Sequence, residues 1–177
     1  GIDGITLTIS GTGTLDVRAS NVTTSSVGID AAQSLTVTKG VTVNATAGDV
    51  NDGIDASSYG IRVSTLNVED SANVNAAGGR ATKSAGVCSS GDIRMDNASA
   101  TFISDAVNGG SRSSAAVSSS AFRFTNCAVT ASTNKNGSSN VPYDSAKHSD
   151  YKYIKVIPAK APTISPDDSK TYAPGQE

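Results

Sequence analysis

A Gly-apolar step, with Ala for Gly in its last copy, recurs five times along the chain and is followed each time, six or seven residues later, by an apolar-x-apolar triplet. The steps are Gly1-Ile2, Gly28-Ile29, Gly60-Ile61, Gly86-Val87 and Ala116-Val117. The triplets are Leu7-Thr8-Ile9, Leu35-Thr36-Val37, Leu66-Asn67-Val68, Ile93-Arg94-Met95 and Phe122-Arg123-Phe124. A third apolar segment completes each unit: Leu15-Asp16-Val17, Val43-Asn44-Ala45, Val74-Asn75-Ala76, Thr101-Phe102-Ile103 and Val129-Thr130-Ala131. Units spaced 26 to 32 residues apart are too small to bury a core alone, so they must stack on one another as a solenoid.

Alternation sends the outer two residues of a triplet inward and the middle one to solvent, which makes each triplet a strand. Coils this short have no room for a crossover helix, so successive strands stack in parallel about 4.8 Å apart, and five coils give a body on the order of 24 Å long. The expected fold is all-β: a single-stranded parallel β-helix of about five coils, right-handed by the general crossover preference. Composition agrees, since Ser, Thr, Asn and Gly compete with or weaken helices, and only 5% of the residues are aromatic, with no Trp. Loops rich in small polar residues, Ala47 to Ser58, Ala77 to Ser84 and Ala106 to Ser114, precede the next Gly-apolar step and are expected to emerge along one edge.

The repeat ends near Thr133. The sequence divides into a β-helix over 1–133, a capping segment and closing strand over 134–158, and a Pro-containing linker toward a further domain over 159–177. Within the second part, Tyr151 to Ile157 reads as a strand that closes the C-terminal end, where bare ladder groups would otherwise invite pairing. No cap is visible before Gly1, which leads us to expect neighbouring domains in a longer chain. A net charge of −2 predicts no attraction to nucleic acid or an anionic membrane surface, and no run of about 18 apolar residues is present to insert in a bilayer. Cys88 and Cys127 fall at different positions of the cross-section, so free thiols are expected rather than a bridge.

Three sets of residues are candidates for chemistry. Asp49, Asn51 and Asp55 alternate, Gly53 permits a tight turn, and with Asp52 these residues offer the oxygens that a hard cation such as calcium takes from a flexible loop, although the spacing is not that of an EF-hand; the same residues also suit Asx-stabilised turns. Arg94 and Arg123 fall on the outward position of consecutive coils, with Asp92 and Asp96 nearby. Guanidinium groups hold carboxylates through paired hydrogen bonds, so the two suit an acidic sugar, or else a solvated face with Asp96 as counter-ion. Tyr59 is the one aromatic residue expected in a loop where a sugar face would pack.

Catalysis finds little support. Glycosidic hydrolysis commonly needs two carboxylates at a set separation, yet Glu occurs only at Glu69 and Glu177, and Asp167-Asp168 lies in the linker. His148 stands alone in the tail and reads as solvated. A polysaccharide lyase would need a basic residue beside a carboxylate-bound calcium, a role for which Arg94 or Arg123 would have to serve. The chain is therefore read as no enzyme, with a lyase-like enzyme on acidic glycans as the alternative.

The phrases Leu7-Thr8-Ile9-Ser10-Gly11, Gly28-Ile29-Asp30-Ala31 and Tyr59-Gly60-Ile61 resemble the "GI-x-A…LTISGGT" repeats of extracellular β-helical proteins of Gram-positive gut and soil bacteria. The resemblance covers residues 1 to about 131, and Tyr151 to Val156 is similar to the strand that often closes such arrays. Related clostridial carbohydrate-binding domains have a right-handed β-helix, bind calcium through "DDGI" steps and recognise polysaccharide; here only Asn51-Asp52-Gly53-Ile54-Asp55 approaches that step. The resemblance implies an extracellular location at a bacterial cell surface, and a role in binding polysaccharide or host glycan or as an adhesin stalk.

Overall fold

The computed structural model describes residues 1–51, 55–107 and 115–159. It is all-β, a β-solenoid of about four turns. The strands are β1 (Ile2–Ser10), β2 (Thr14–Arg18), β3 (Ser25–Thr38), β4 (Thr42–Thr46), β5 (Ser57–Val68), β6 (Asn73–Ala81) and β7 (Lys83–Ser89). They continue as β8 (Asp92–Asp96), β9 (Ser99–Ala106), β10 (Val117–Ser118), β11 (Ala121–Thr125), β12 (Cys127–Ser132), β13 (Val141–Pro142) and β14 (Tyr153–Pro158), with a short 3-10 helix at Ser145–Asp150. One sheet stacks β1, β3, β5, β7 and β10, with β8 and β11 continuing its later rows; the other has the order β13-β12-β14-β9-β6-β4-β2.

The register follows the repeat. Ile2, Ile29, Ile61, Val87 and Val117 lie in one row, and Leu7, Leu35, Leu66, Ile93 and Phe122 in another. Ile29, Leu35, Ile61, Leu66, Val87 and Ile93 are fully buried, and each such side chain contributes about 1.5–3 kcal/mol by leaving water. In the first three coils the Gly-apolar step and the triplet form one long strand rather than two. The extra residue of β3 is absorbed between Ala31 and Ser34 as an irregularity in the pairing with both neighbours, with Ala32 and Gln33 exposed. The seventh residue between step and triplet is thus a bulge in the second coil, and in the fourth it falls in the break between β7 and β8.

Glycine in the Gly-apolar step is required by space. A Cβ on Gly60 would lie 2.6 Å from the Ala77 nitrogen, 2.7 Å from the Gly86 oxygen and 2.9 Å from the Ala45 oxygen, all backbone. Gly28 and Gly86 face comparable contacts, at 2.6 Å to Gly60 and 2.5 Å to Ala76. The two sheets meet here backbone to backbone. The repeat with alanine in this position is the one in which a foreign strand intervenes, and there the Ala116 amide donates to the Tyr151 carbonyl at 2.7 Å.

Buried serines stand beside the glycines. Ser26, Ser58 and Ser84 share a row. The Ser58 hydroxyl donates to the Gly48 carbonyl at 2.8 Å and accepts from the Gly79 amide at 2.7 Å, so one side chain satisfies backbone groups in two coils. Ser26 acts likewise on Ser20 and Gly48. At the opposite corner, two residues past each triplet, Gly11, Lys39, Asp70, Asn97 and Asn126 all adopt positive φ, the conformation that turns the chain from one sheet to the other.

Four expectations are corrected. The fourth coil's last triplet is Ala100-Thr101-Phe102, one residue earlier than read, because the large Phe102 ring takes the buried position and Thr101 joins the outward row of Asn44 and Asn75. The stretch Ala77 to Ser84 is not a loop: β6 runs to Ala81 and β7 begins at Lys83, and Gly79 is small because a Cβ would meet Gly48 at 2.5 Å. Phe124, expected inside, is 41% exposed, for among the described residues no strand pairs with β11 on its outer side.

The fourth correction is topological. Tyr151 to Ile157 does not close the end of the stack; β14 is inserted between β9 and β12, antiparallel to both. Its Ile154 and Val156 are buried in the core. The fifth repeat therefore stacks directly on the fourth in one sheet only, and the edge beyond β12 is taken by the two-residue β13. The solenoid has about four turns against five sequence repeats.

The glycine column yields a direct test. Gly60→Ala is expected to cost about 3 kcal/mol, since backbone on three sides cannot move aside. Gly40→Ala, where nothing lies within 4 Å but φ is +76°, should cost only the left-handed penalty of about 1–2 kcal/mol. Urea midpoints of the two variants, with an unchanged slope, would check the order.

Candidate functional site

The outward faces of β8 and β11 carry the charge. Period-two alternation points Asp92, Arg94 and Asp96 outward from β8, and Arg123 and Thr125 outward from β11. Arg123 pairs in register with Arg94, which pairs with Asn67 on the previous coil. Both guanidinium groups are well exposed, at 60% and 66% of the side chain.

Two like charges on adjacent strands repel, and here one carboxylate relieves them. Asp92 Oδ2 accepts from Arg94 Nη2 at 3.1 Å and from Arg123 Nε at 3.4 Å. The counter-ion is thus Asp92 and not Asp96, whose Oδ1 instead accepts from the Asn126 side chain at 3.0 Å because the left-handed turn at Asn126 brings that amide over it. The hydrogen bond from Arg94 is the main cause that holds the Asp92 carboxyl below the usual range; desolvation opposes it, and the hydrogen bond and charge of Arg123 add to the lowering.

Two depressions meet at Arg123. The first, of about 370 Å3, is lined by Asn67, Glu69, Arg94, Asp96, Arg123 and Thr125 among others, so two cations stand against two carboxylates. The second, of about 340 Å3, lies between β11 and the 3-10 helix and is lined by Arg123, Phe122, Tyr143, His148 and the serines 119, 120, 145 and 149. Its lining residues include no carboxylate. Ser119 Oγ is buried and has no hydrogen-bond partner among the described residues.

Tyr143 organises the second depression. Its ring meets Phe122 edge-on with centroids 5.5 Å apart, Phe124 at 6.0 Å and Tyr151 at 5.7 Å, while its hydroxyl lies 2.6 Å from His148 Nδ1. Burial pushes the Tyr143 hydroxyl up to about 12, so it remains a neutral phenol across the physiological range. His148 is accordingly not a solvated tail residue; it stands edge-on to Tyr143. Sequence reading passed over Tyr143, although a large ring in the polar stretch between Asn134 and Ser149 has to find apolar cover.

The other candidates are placed elsewhere. Tyr59 is not in a loop: it lies within β5, 8% exposed, in register with Val27 and Ala85, and burial raises its hydroxyl to about 12. It is closed to a sugar face. Nearby, Arg62 pairs through two hydrogen bonds with Asp30, one of them 3.0 Å long. Cys88, half-buried in the same row, has its thiol pushed up by burial, and both cysteines are free. A thiol in that state is a poor nucleophile.

Asp49 and Asp55 are committed to other partners. Asp49 Oδ1 accepts from the Arg80 amide at 2.8 Å, and its own amide donates to Asn21 Oδ1 at 2.8 Å, which makes it one rung of a coil-to-coil ladder. Asp55 pairs with Lys83 at 2.8 Å, and that hydrogen bond lowers its carboxyl. Asn51 is exposed, and Asp52 lies outside the described residues. Among the described residues no three His, Cys, Asp or Glu side chains stand close enough to share a metal ion, and no helix is long and apolar enough to cross a membrane.

Comparison with protein-family models, with curated proteins and with solved structures returns no match for this chain. The fold and the geometry around Arg123 therefore define the class: a β-solenoid with a cationic, hydroxyl-lined face at one end.

The shared carboxylate makes a sign-specific prediction. Asp92 is expected to titrate below the ordinary value of about 3.9, and Arg94→Ala should restore it further than Arg123→Ala. Because the folded value is the lowered one, the contribution to stability is present above the ordinary value and fades as pH falls through the folded value. Carbon-detected titration of the Asp92 carboxyl in the three proteins would measure it.

Proposed function

We propose that this chain is a non-catalytic, carbohydrate-binding module on a stiff solenoid, part of a secreted or cell-surface bacterial protein, and that it takes acidic glycans at Arg123. One observation carries the reading: the second depression combines an exposed guanidinium, several hydroxyls and an aromatic ring, with no carboxylate among its lining residues. A sugar acid requires those partners. The guanidinium holds the carboxylate through charge-assisted hydrogen bonds, the serines match ring hydroxyls, and Phe122 and Tyr143 supply apolar surface. Arg94 has the closer tie to Asp92 and faces Glu69 and Asp96, so its role is secondary.

The solenoid supports the same reading, because backbone ladders run through every coil and side-chain ladders such as Asp16-Asn44-Asn75 tie the outer face. Such a body holds a binding face at a fixed distance from its attachment. The repeat phrases that resemble extracellular bacterial β-helices favour a cell-surface setting.

The test is binding to an array of neutral and acidic polysaccharides, with calcium and with chelator. Selective binding to carboxylated or sulfated glycans is expected, unchanged by chelator, and weakened about tenfold by Arg123→Gln, the equivalent of one charge-assisted hydrogen bond. Arg94→Gln should weaken it much less. Equal binding to neutral glycans, or an unaltered Arg123→Gln, would sink the proposal, and release of unsaturated uronate products would replace it with a lyase.

A further inference from the structure

Among the described strands, β14 alone runs antiparallel between two members of the coil stack. It nevertheless keeps the register of the coils on either side. Ala100, Val156 and Val129 share one row; Thr101, Lys155 and Thr130 share the next; Phe102, Ile154 and Ala131 share the third. β12 is therefore parallel to β9, two strand spacings away, in the register a direct neighbour would have. The ladder extends past β14 itself, for the Ser104 amide donates to Lys152 and the Lys152 amide donates to Ser132, both at 2.9 Å.

The space between β9 and β12 is thus a slot with a ladder edge on each side and core beneath it. An empty slot would leave two rows of backbone groups unpaired and the core open where Ile154 and Val156 now sit at 0% and 1% exposure, so it demands a strand. What fits is already on the page: the alternation of Ile154 and Val156 inward with Lys155 outward. Every copy of the chain carries that strand.

The arm that delivers it, residues 141–158, leaves β12 through a hairpin turn. Residues 133–140 are polar and almost all exposed, and the turn holds both Gly137 and Ser139 at positive φ, 67° and 63°. For serine that conformation is strained. Opening the turn relieves the strain, and an arm docked on another copy regains every contact it gave up, which is the condition for exchange between identical chains. We propose that the slot between β9 and β12 is a strand-acceptor site which the 141–158 arm of a second copy fills, giving an arm-exchanged dimer.

Thr101 and Lys155 face each other directly across the β9–β14 ladder and provide the test in the full chain, with Cys88→Ser and Cys127→Ser as background. One variant carries Thr101→Cys, a second Lys155→Cys, and a third both. The double variant, refolded dilute, is expected to close an intramolecular disulfide; the two single variants refolded together should give a cross-linked heterodimer. While the dimer is the minor species, its fraction should rise about tenfold for a tenfold rise in concentration, and Ser139→Gly should reduce it. An intramolecular disulfide with no heterodimer at any concentration would overturn the exchange, and absence of both products would overturn the slot itself.

Discussion

Backbone meets backbone at the column of Gly28, Gly60 and Gly86, and the rest of the cross-section depends on that approach. With no Cβ between them the two sheets close to a gap that a methyl group would block, and the core on either side becomes narrow enough for Val, Ile, Leu and Ala to fill. The buried serines follow from the same closeness. Where chains bend this near to one another some amide and carbonyl groups lose their ladder partners, and Ser26 and Ser58 satisfy them from within, since leaving such groups unpaired costs about 1–3 kcal/mol each.

Chemical individuality lies where the repeat lapses. Along the outward row of the triplets the residues change from Thr8 and Thr36 through Asn67 to Arg94 and Arg123, so charge accumulates toward one end. That end also holds the aromatic cluster of Phe102, Phe122, Phe124, Tyr143 and Tyr151. The residues that cover the final coil thereby also form the wall facing Arg123. Covering the core and shaping a pocket are one structural act here.

The coil architecture was legible because parallel stacking repeats one environment at fixed intervals. The rows of Ile29 and Leu35 could be written from spacing alone, as could the pairing of Arg94 with Arg123. What was not legible arises from contacts outside that period. The counter-ion is Asp92 rather than Asp96 because a turn two residues past the triplet hands Asp96 to Asn126. Tyr59 looked like a loop residue because a tyrosine beside glycine carries no mark of burial. The seat of β14 had no signal in its own alternation, which specifies an inner and an outer face but not which pair of neighbours it enters. The positive-φ column was in view as Gly11, Asp70, Asn97 and Asn126, residue types that tolerate the conformation, but Lys39 hid the pattern.

The inserted strand has a consequence best put in the language of crystals. One sheet has a row for each repeat, and the other has, besides the short β13 at its edge, an additional row within the stack, β14, that its partner sheet lacks; this is the extra half-plane of an edge dislocation. Up to the fourth coil each strand stacks on its counterpart in the coil before, and the stack would template another layer. Beyond the defect the two sheets are out of step by one strand spacing, about 4.8 Å, so no level floor remains on which an identical coil can settle across both sheets. A periodic stack grows without limit unless its periodicity is broken, and here the break is built from the chain's own eight-residue segment 151–158.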